Sequence, residues 1–253
     1  MLASKAHPKI RIFVNSLPSE FDSFKRRGDF LIVPTREPVI TGFFFERTSE
    51  SHLLRYVWLI CDLLAYPNLE APLVFGHRLS QIPHAVVGNW KNDQLRQIFE
   101  TRSDCEVYQQ VLADPQSFDR NVEQTVRDMK DIGLPWLDRH ASLEGFYDLC
   151  VAFREGKLPA TASPEWARFE MAAYAAILLK RPPSEIEEWL QLAISAPAKR
   201  VKAWTELGLT FDIGSWGMES GARCKEIGKA LREGKAFQIV SEYERESRER
   251  LGL

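Results

Sequence analysis

The hydrophobic period of this chain changes once, near Gly88, and that change constrains the fold more than any other feature. Before it, Gly28–Pro34, Val39–Arg47, His52–Leu63 and Leu73–Leu79 are rich in β-branched and aromatic residues. Turn-forming stretches separate them: Thr35–Pro38, Thr48–Ser51 and Tyr66–Ala71. After it, apolar residues recur at helical spacing. One switch from strands to helices predicts an α+β protein, not an alternating α/β one. The expected architecture is an antiparallel β-meander sheet of about four to five strands, followed by a helical region packed on one face. Pro8–Ser16 is a candidate for a further strand. The division falls at 1–90 for the sheet and 91–253 for the helices. No long linker separates them, so one continuous core is expected.

Start and stop signals divide the helical half. Val122, Val126, Met129 and Ile132 form a stripe expected to end at Gly133 and Pro135, with Leu134–Asp138 as a rigid joint. Ser142 is the expected N-cap of a second helix carrying Leu143, Phe146, Cys150 and Phe153. Ser163-Pro164-Glu165 opens a third, with Trp166, Phe169, Ala173, Ala176 and Ile177 on one side. Ala172–Ala176 would let two helices approach closely. Ser184 with Glu187 has capping-box spacing and opens a fourth helix. Residues 218–249 are expected as one or two helices with a break at Gly234.

A register for the meander follows if Thr48–Ser51 is the loop. Phe43 then faces Tyr56, Thr41 faces Trp58 and Val39 faces Ile60, on an aromatic side expected to be the core. The other side carries Phe44, Gly42 and Ile40, then Arg55, Val57 and Leu59, then Arg78 and Gly76. Glycine in a strand often marks a close approach, and paired arginines suit a carboxylate or phosphate. Arg55, Arg78, Gly42 and Gly76 are therefore the candidate site for a small anionic ligand. The competing reading, structural ion pairs, is the favoured one.

Chemical motifs are sparse. Asp62, His77 and His84 are the one constellation suited to acid–base work, with Arg78 beside it, and no nucleophile or oxyanion loop accompanies them. The five histidines show no metal-ligand spacing, and no phosphate loop is present, so neither metal nor cofactor is expected. Cys61, Cys105, Cys150 and Cys224 are scattered, as expected of reduced thiols in a cytosolic protein. Lys25, Arg26 and Arg27 form a short basic cluster, too small a footprint for duplex binding; they are the nucleic-acid candidates, and nucleic acid is a disfavoured partner. Lys225, Lys229 and Arg232 read as a solvated helix face, and Gly214-Ser215-Trp216-Gly217 as a flexible turn.

Charge excludes more than it suggests. Thirty-three Lys and Arg against 35 Asp and Glu leave a net charge of −2, without a global field for nucleic acid or membrane. The balance hides six bases against two acids in residues 1–27, and seven acids against three bases in 103–131. The first residues lack a signal-peptide pattern, and no apolar run is long enough to span a bilayer, so a cytoplasmic location is expected. Seven tryptophans are spread along the chain; an exposed subset would suit anchoring to a protein.

Arg55-Tyr56-Val57-Trp58, Pro67 and Leu73–Leu79 with its Phe75-Gly76-His77-Arg78-Leu79, together with Leu134-Pro135-Trp136-Leu137-Asp138, resemble segments of small uncharacterised bacterial proteins. The resemblance covers about half the chain. It implies a bacterial cytosolic protein with no assigned catalytic residues, of a kind sometimes found beside toxin or defence systems. The expectation is a non-catalytic protein-interaction or regulatory factor, immunity-like, whose partner is another protein or a second copy. The alternative is a small-molecule-binding or hydrolytic enzyme using Asp62, His77 and Arg78 in a cleft at the sheet edge.

Overall fold

The computed structural model describes residues 17, 19–28, 30–35, 37–47, 54–66, 76–78, 126–127, 129–156, 164–208 and 214–253; for 27, 46–47, 54–58, 76–78 and 214–216 it describes the backbone alone. The expected strand at Pro8–Ser16 and the division at residue 90 lie outside them. Five strands form one sheet in the order β1-β2-β3-β4-β5: β1 Lys25–Arg27, β2 Phe30–Ile32, β3 Val39–Arg47, β4 Leu54–Leu63 and β5 Gly76–Arg78. Among the described residues six α-helices follow: α1 Leu134–His140, α2 Leu143–Arg154, α3 Glu165–Leu178, α4 Pro183–Glu206, α5 Gly214–Arg232 and α6 Ala236–Leu251. The protein is α+β, as the single change of period predicts.

The described residues divide into two compact units. The first takes its members from the chain up to Val33, from Gly42–Leu59 and from His77–Asp138. The second takes Pro34–Thr41, Ile60–Gly76 and Arg139–Leu253.

In the first unit, Lys25–Arg27 is itself a strand, not a segment preceding one. Arg27 pairs with Phe30 across a tight turn whose Gly28 has φ 61°, a left-handed value that a two-residue hairpin favours. Phe30 then pairs with Phe44 and Leu31 with Phe43, and the Phe30 and Phe44 rings stack at 4.7 Å. Phe21, Leu31, Phe43, Phe45, Leu59, Met129 and Leu137 form the core. Met129–Gly133 is a π-helical turn that runs on into α1, so the helix does not stop at Gly133. Pro135 therefore lies within a continuous helical run and leaves one carbonyl of the preceding π-helical turn without a backbone N–H. Gly133 is needed for packing: a Cβ there would stand 2.7 Å from Phe43 Cε1 and 3.3 Å from Leu59 Cδ2. An ion pair between Lys130 and Glu20 ties this turn to the 3-10 turn Ser19–Phe21, lowering the pKa of Glu20 and raising that of Lys130.

Phe43 and Leu59 therefore lie on the same side of the sheet, which corrects the expected register. The Leu64 N–H donates to the Pro38 carbonyl at 2.7 Å, and counting inward along antiparallel strands from that bond sets Phe43 opposite Leu59. The offset from the expected pairing is three residues, an odd number, so it exchanges the two faces. The Trp58 side chain lies outside those described.

In the second unit, α3 is the central element. Every residue from Trp166 to Ile177 is buried, not one side of the helix only. Four alanines at 172, 173, 175 and 176 let its neighbours approach, and α4 packs on it most extensively. Ser142 caps α2 as predicted, its Oγ accepting from the Gly145 N–H at 3.0 Å. The other two predicted starts differ. Pro164 stands at the N-cap of α3, and Pro182 at that of α4, without a side-chain cap in either. Ser184 is inside the first turn. Gly214–Gly217 is the first turn of α5, not a free turn. Gly234, with φ 73°, breaks the chain between α5 and α6 as expected. Arg248 of α6 clasps the turn before β3, donating to the Thr35 carbonyl at 3.1 Å and the Glu37 carbonyl at 2.6 Å. Among the described residues no helix is long and apolar enough to cross a membrane.

Candidate functional site

The residues singled out in the sequence are dispersed over the strands. Asp62, in β4, has a fully buried side chain. Arg55 of β4 and Gly76, His77 and Arg78 of β5 are placed by their backbone, and His84 lies outside the described residues. Gly42 has a structural occupant: a Cβ there would fall on the carbonyl oxygen of Leu31 and stand 3.0 Å from Ile32 Cα. The close approach predicted for this glycine is made by strand β2. Lys25 is exposed, and Arg26 Nε donates to the Gly28 carbonyl at 3.4 Å.

The densest polar chemistry lies in the second unit. The Glu170 carboxylate, on α3, is fully buried. Its Oε1 accepts from Tyr174 Oη at 2.7 Å and Arg223 Nε at 2.7 Å; its Oε2 accepts from Ser220 Oγ at 2.5 Å and Arg223 Nη2 at 3.0 Å. Arg223 Nη2 also reaches Tyr66 Oη at 3.5 Å, with the guanidinium 5.6 Å from that ring. Burial works against the charge on Arg223, but the hydrogen bonds and charge of Glu170 outweigh it and push the pKa up. Burial, then the Glu170 charge, raises the pKa values of Tyr174 and Cys224, so both stay protonated at neutral pH. Four donors saturate this carboxylate, which therefore holds a structural charge and not a free base. The sequence carried one signal for it: a glutamate inside the apolar run Trp166–Leu178.

A second cluster joins α2 to α4. Trp189 Nε1 donates to Tyr147 Oη at 2.7 Å, and Tyr147 Oη donates to Glu185. Burial, then the bond to Glu185, pushes the Tyr147 pKa up to about 12. Arg154 lies 4.4 Å over the Trp189 ring. Trp189 is fully buried, so these groups fasten helices together.

His140 closes the corner between α1 and α2. Its Nδ1 is 3.0 Å from the Gly145 carbonyl, which requires the proton on Nδ1, and its own carbonyl accepts from Cys61 Sγ at 3.3 Å. Burial lowers its pKa below the usual 6.5. The unfolded chain then binds the extra proton first, so stability is full above about pH 6.5 and falls as pH drops toward the lowered folded value. Melting curves between about pH 7.5 and 5.5 should show this decline. His140→Asn, which keeps a donor near the Nδ1 position without titrating, should flatten it. An unchanged slope would assign the decline to other groups.

Between α4 and α5 runs an open groove of about 460 Å³. Leu190, Ile194, Cys224 and Gly228 form its apolar floor. Glu187, Glu188 and Gln191 stand along the α4 side, Lys225 and Arg232 along the α5 side. Two of the three residues read as a solvated basic face thus line one wall; the third, Lys229, lies 4.0 Å from Glu233. The sequence could not show the groove, because its walls belong to helices whose pairing is tertiary.

Among the described residues no group of three or more His, Cys, Asp or Glu side chains is placed to hold a metal ion. No protein-family model, curated protein or solved structure matches this chain.

Proposed function

We propose that the chain is a non-catalytic protein-interaction factor of the regulatory kind. The observation that carries this reading is the α4–α5 groove: an apolar floor between two charged edges, built on rigid helices. The buried ionisable groups add support. The buried Glu170 carboxylate accepts four hydrogen bonds inside the chain, two of them from Arg223, and the buried Tyr147 hydroxyl is held between Trp189 and Glu185, so these groups serve packing. The alternative, a hydrolytic cleft on Asp62, His77 and Arg78, draws no support from Asp62, whose carboxylate is fully buried.

The test is cross-linking mass spectrometry and size-exclusion chromatography of the tagged chain in extracts of its source cells. The expected result is elution well above 29.1 kDa with cross-links from Lys225 or Lys229 to one recurrent partner. Elution at the monomer mass without inter-protein cross-links would overturn the reading.

A further inference from the structure

We propose that the α4–α5 groove receives a two-turn segment of an amphipathic helix from a partner protein, the two flanks of that helix carrying opposite charge. This deepens the reading of the chain as an interaction factor and rests on it.

Length comes first. Glu187, Leu190, Gln191 and Ile194 follow the helical spacing of one face of α4, and Cys224, Gly228 and Arg232 do the same on α5. At 1.5 Å per residue each wall runs roughly 10–12 Å, two turns of a helix. A helix lying there presents apolar residues at i, i+3 or i+4 and i+7 to the floor.

Gly228, which lines the groove, fits a visitor better than it fits this chain. Gly42, Gly133 and Gly145 each have a neighbour that excludes a Cβ. Gly228 does not: its nearest neighbours would be Leu190 Cδ1 at 3.8 Å and Arg232 Nη1 at 4.0 Å. Gly221, two turns before Gly228 on the same stripe, has nothing within 4 Å. Alanine would fit at both and would hold the helix better. Glycine on the open side of a groove lets another backbone come close.

Charge selects the class of partner. Glu187 and Glu188 edge one wall, with Glu188 also 3.1 Å from Arg154; Lys225 and Arg232 edge the other. A nucleic acid would meet the acidic wall, and a uniformly charged peptide would be repelled by one side. A helix with Lys or Arg on one flank and Asp or Glu on the other matches both. Such rim charges set specificity and register more than affinity.

The probes are three stapled helical peptides sharing one leucine stripe, with mixed, all-lysine or all-glutamate flanks. They are titrated into the full chain and followed by amide NMR. The mixed peptide should shift signals of α4 and α5 and bind about fivefold or more tighter than either uniform peptide. Lys225→Glu/Arg232→Glu should move the preference to the all-lysine peptide. Gly228→Trp fills the open groove and should abolish binding with the helical circular dichroism retained. Gly221→Ala and Gly228→Ala should each raise the Tm by a few degrees, and Gly228→Ala, within the groove, should weaken the mixed peptide. Equal affinities, absent α4 and α5 shifts, or an unmoved preference in the charge-reversed variant would overturn the proposal. A native complex that survives Gly228→Trp would overturn the groove while leaving the interaction function standing; the absence of any native complex would overturn both.

Discussion

Glu170→Ala should destabilise the chain by about 3–5 kcal/mol, measured by urea unfolding. The carboxylate accepts from Tyr174, Ser220 and, twice, Arg223. Its removal leaves a guanidinium whose side chain is only 15 % exposed, beside the Tyr66 ring, with the half-exposed Glu219 carboxylate at 3.9 Å as its remaining counter-charge. The cost is that of stranding Arg223, more than of losing hydrogen bonds. A double-mutant cycle separates the two. Glu170→Leu with Arg223→Met should recover much of the loss, because an apolar pair of similar volume removes both charges together. A loss below about 1 kcal/mol for Glu170→Ala would mean that the network is not structural and that Glu170 is free for chemistry.

Gly42→Ala should cost about 3 kcal/mol or more, or yield a chain that does not fold. Its Cβ would fall on the Leu31 carbonyl oxygen, and Leu31 and Ile32 are fixed by pairing to both β1 and β3. A flexible side chain would yield; a twice-paired backbone does not. Gly221→Ala in α5 is the internal control, the same change with the opposite sign expected. A folded Gly42→Ala of unchanged Tm would return Gly42 to the open face expected from the sequence.

Local signals were readable and tertiary ones were not. Val39–Arg47 was legible residue for residue, because β-branched and aromatic residues end at clear turn formers on both sides. Ser142 and Gly234 were legible because an N-cap and a left-handed break are decided within one turn of helix. The Phe43 side of β3 was assigned to the core correctly, but β4 was turned over, because its register was counted from an expected loop at Thr48–Ser51 and an offset of three residues inverts every side chain of the strand. β1 was missed because Lys25-Arg26-Arg27 reads as charge; the Gly28 turn behind it was the better signal. Glu170 and Arg223 lie 53 positions apart, and the groove joins α4 to α5, so neither leaves a local mark. The fold class survived these errors because it depends on period alone.

The same separation bears on the order of synthesis. Glu170 leaves the ribosome before Ser220 and Arg223 exist, and its helix is buried on every side in the finished molecule. Until α5 emerges, α3 carries an uncompensated carboxylate amid apolar residues. The turn before β3 likewise waits for Arg248, more than 200 residues later, to be clasped. The second unit should therefore lock only when translation is nearly complete, and a nascent chain stalled before Ser220 should remain open to protease.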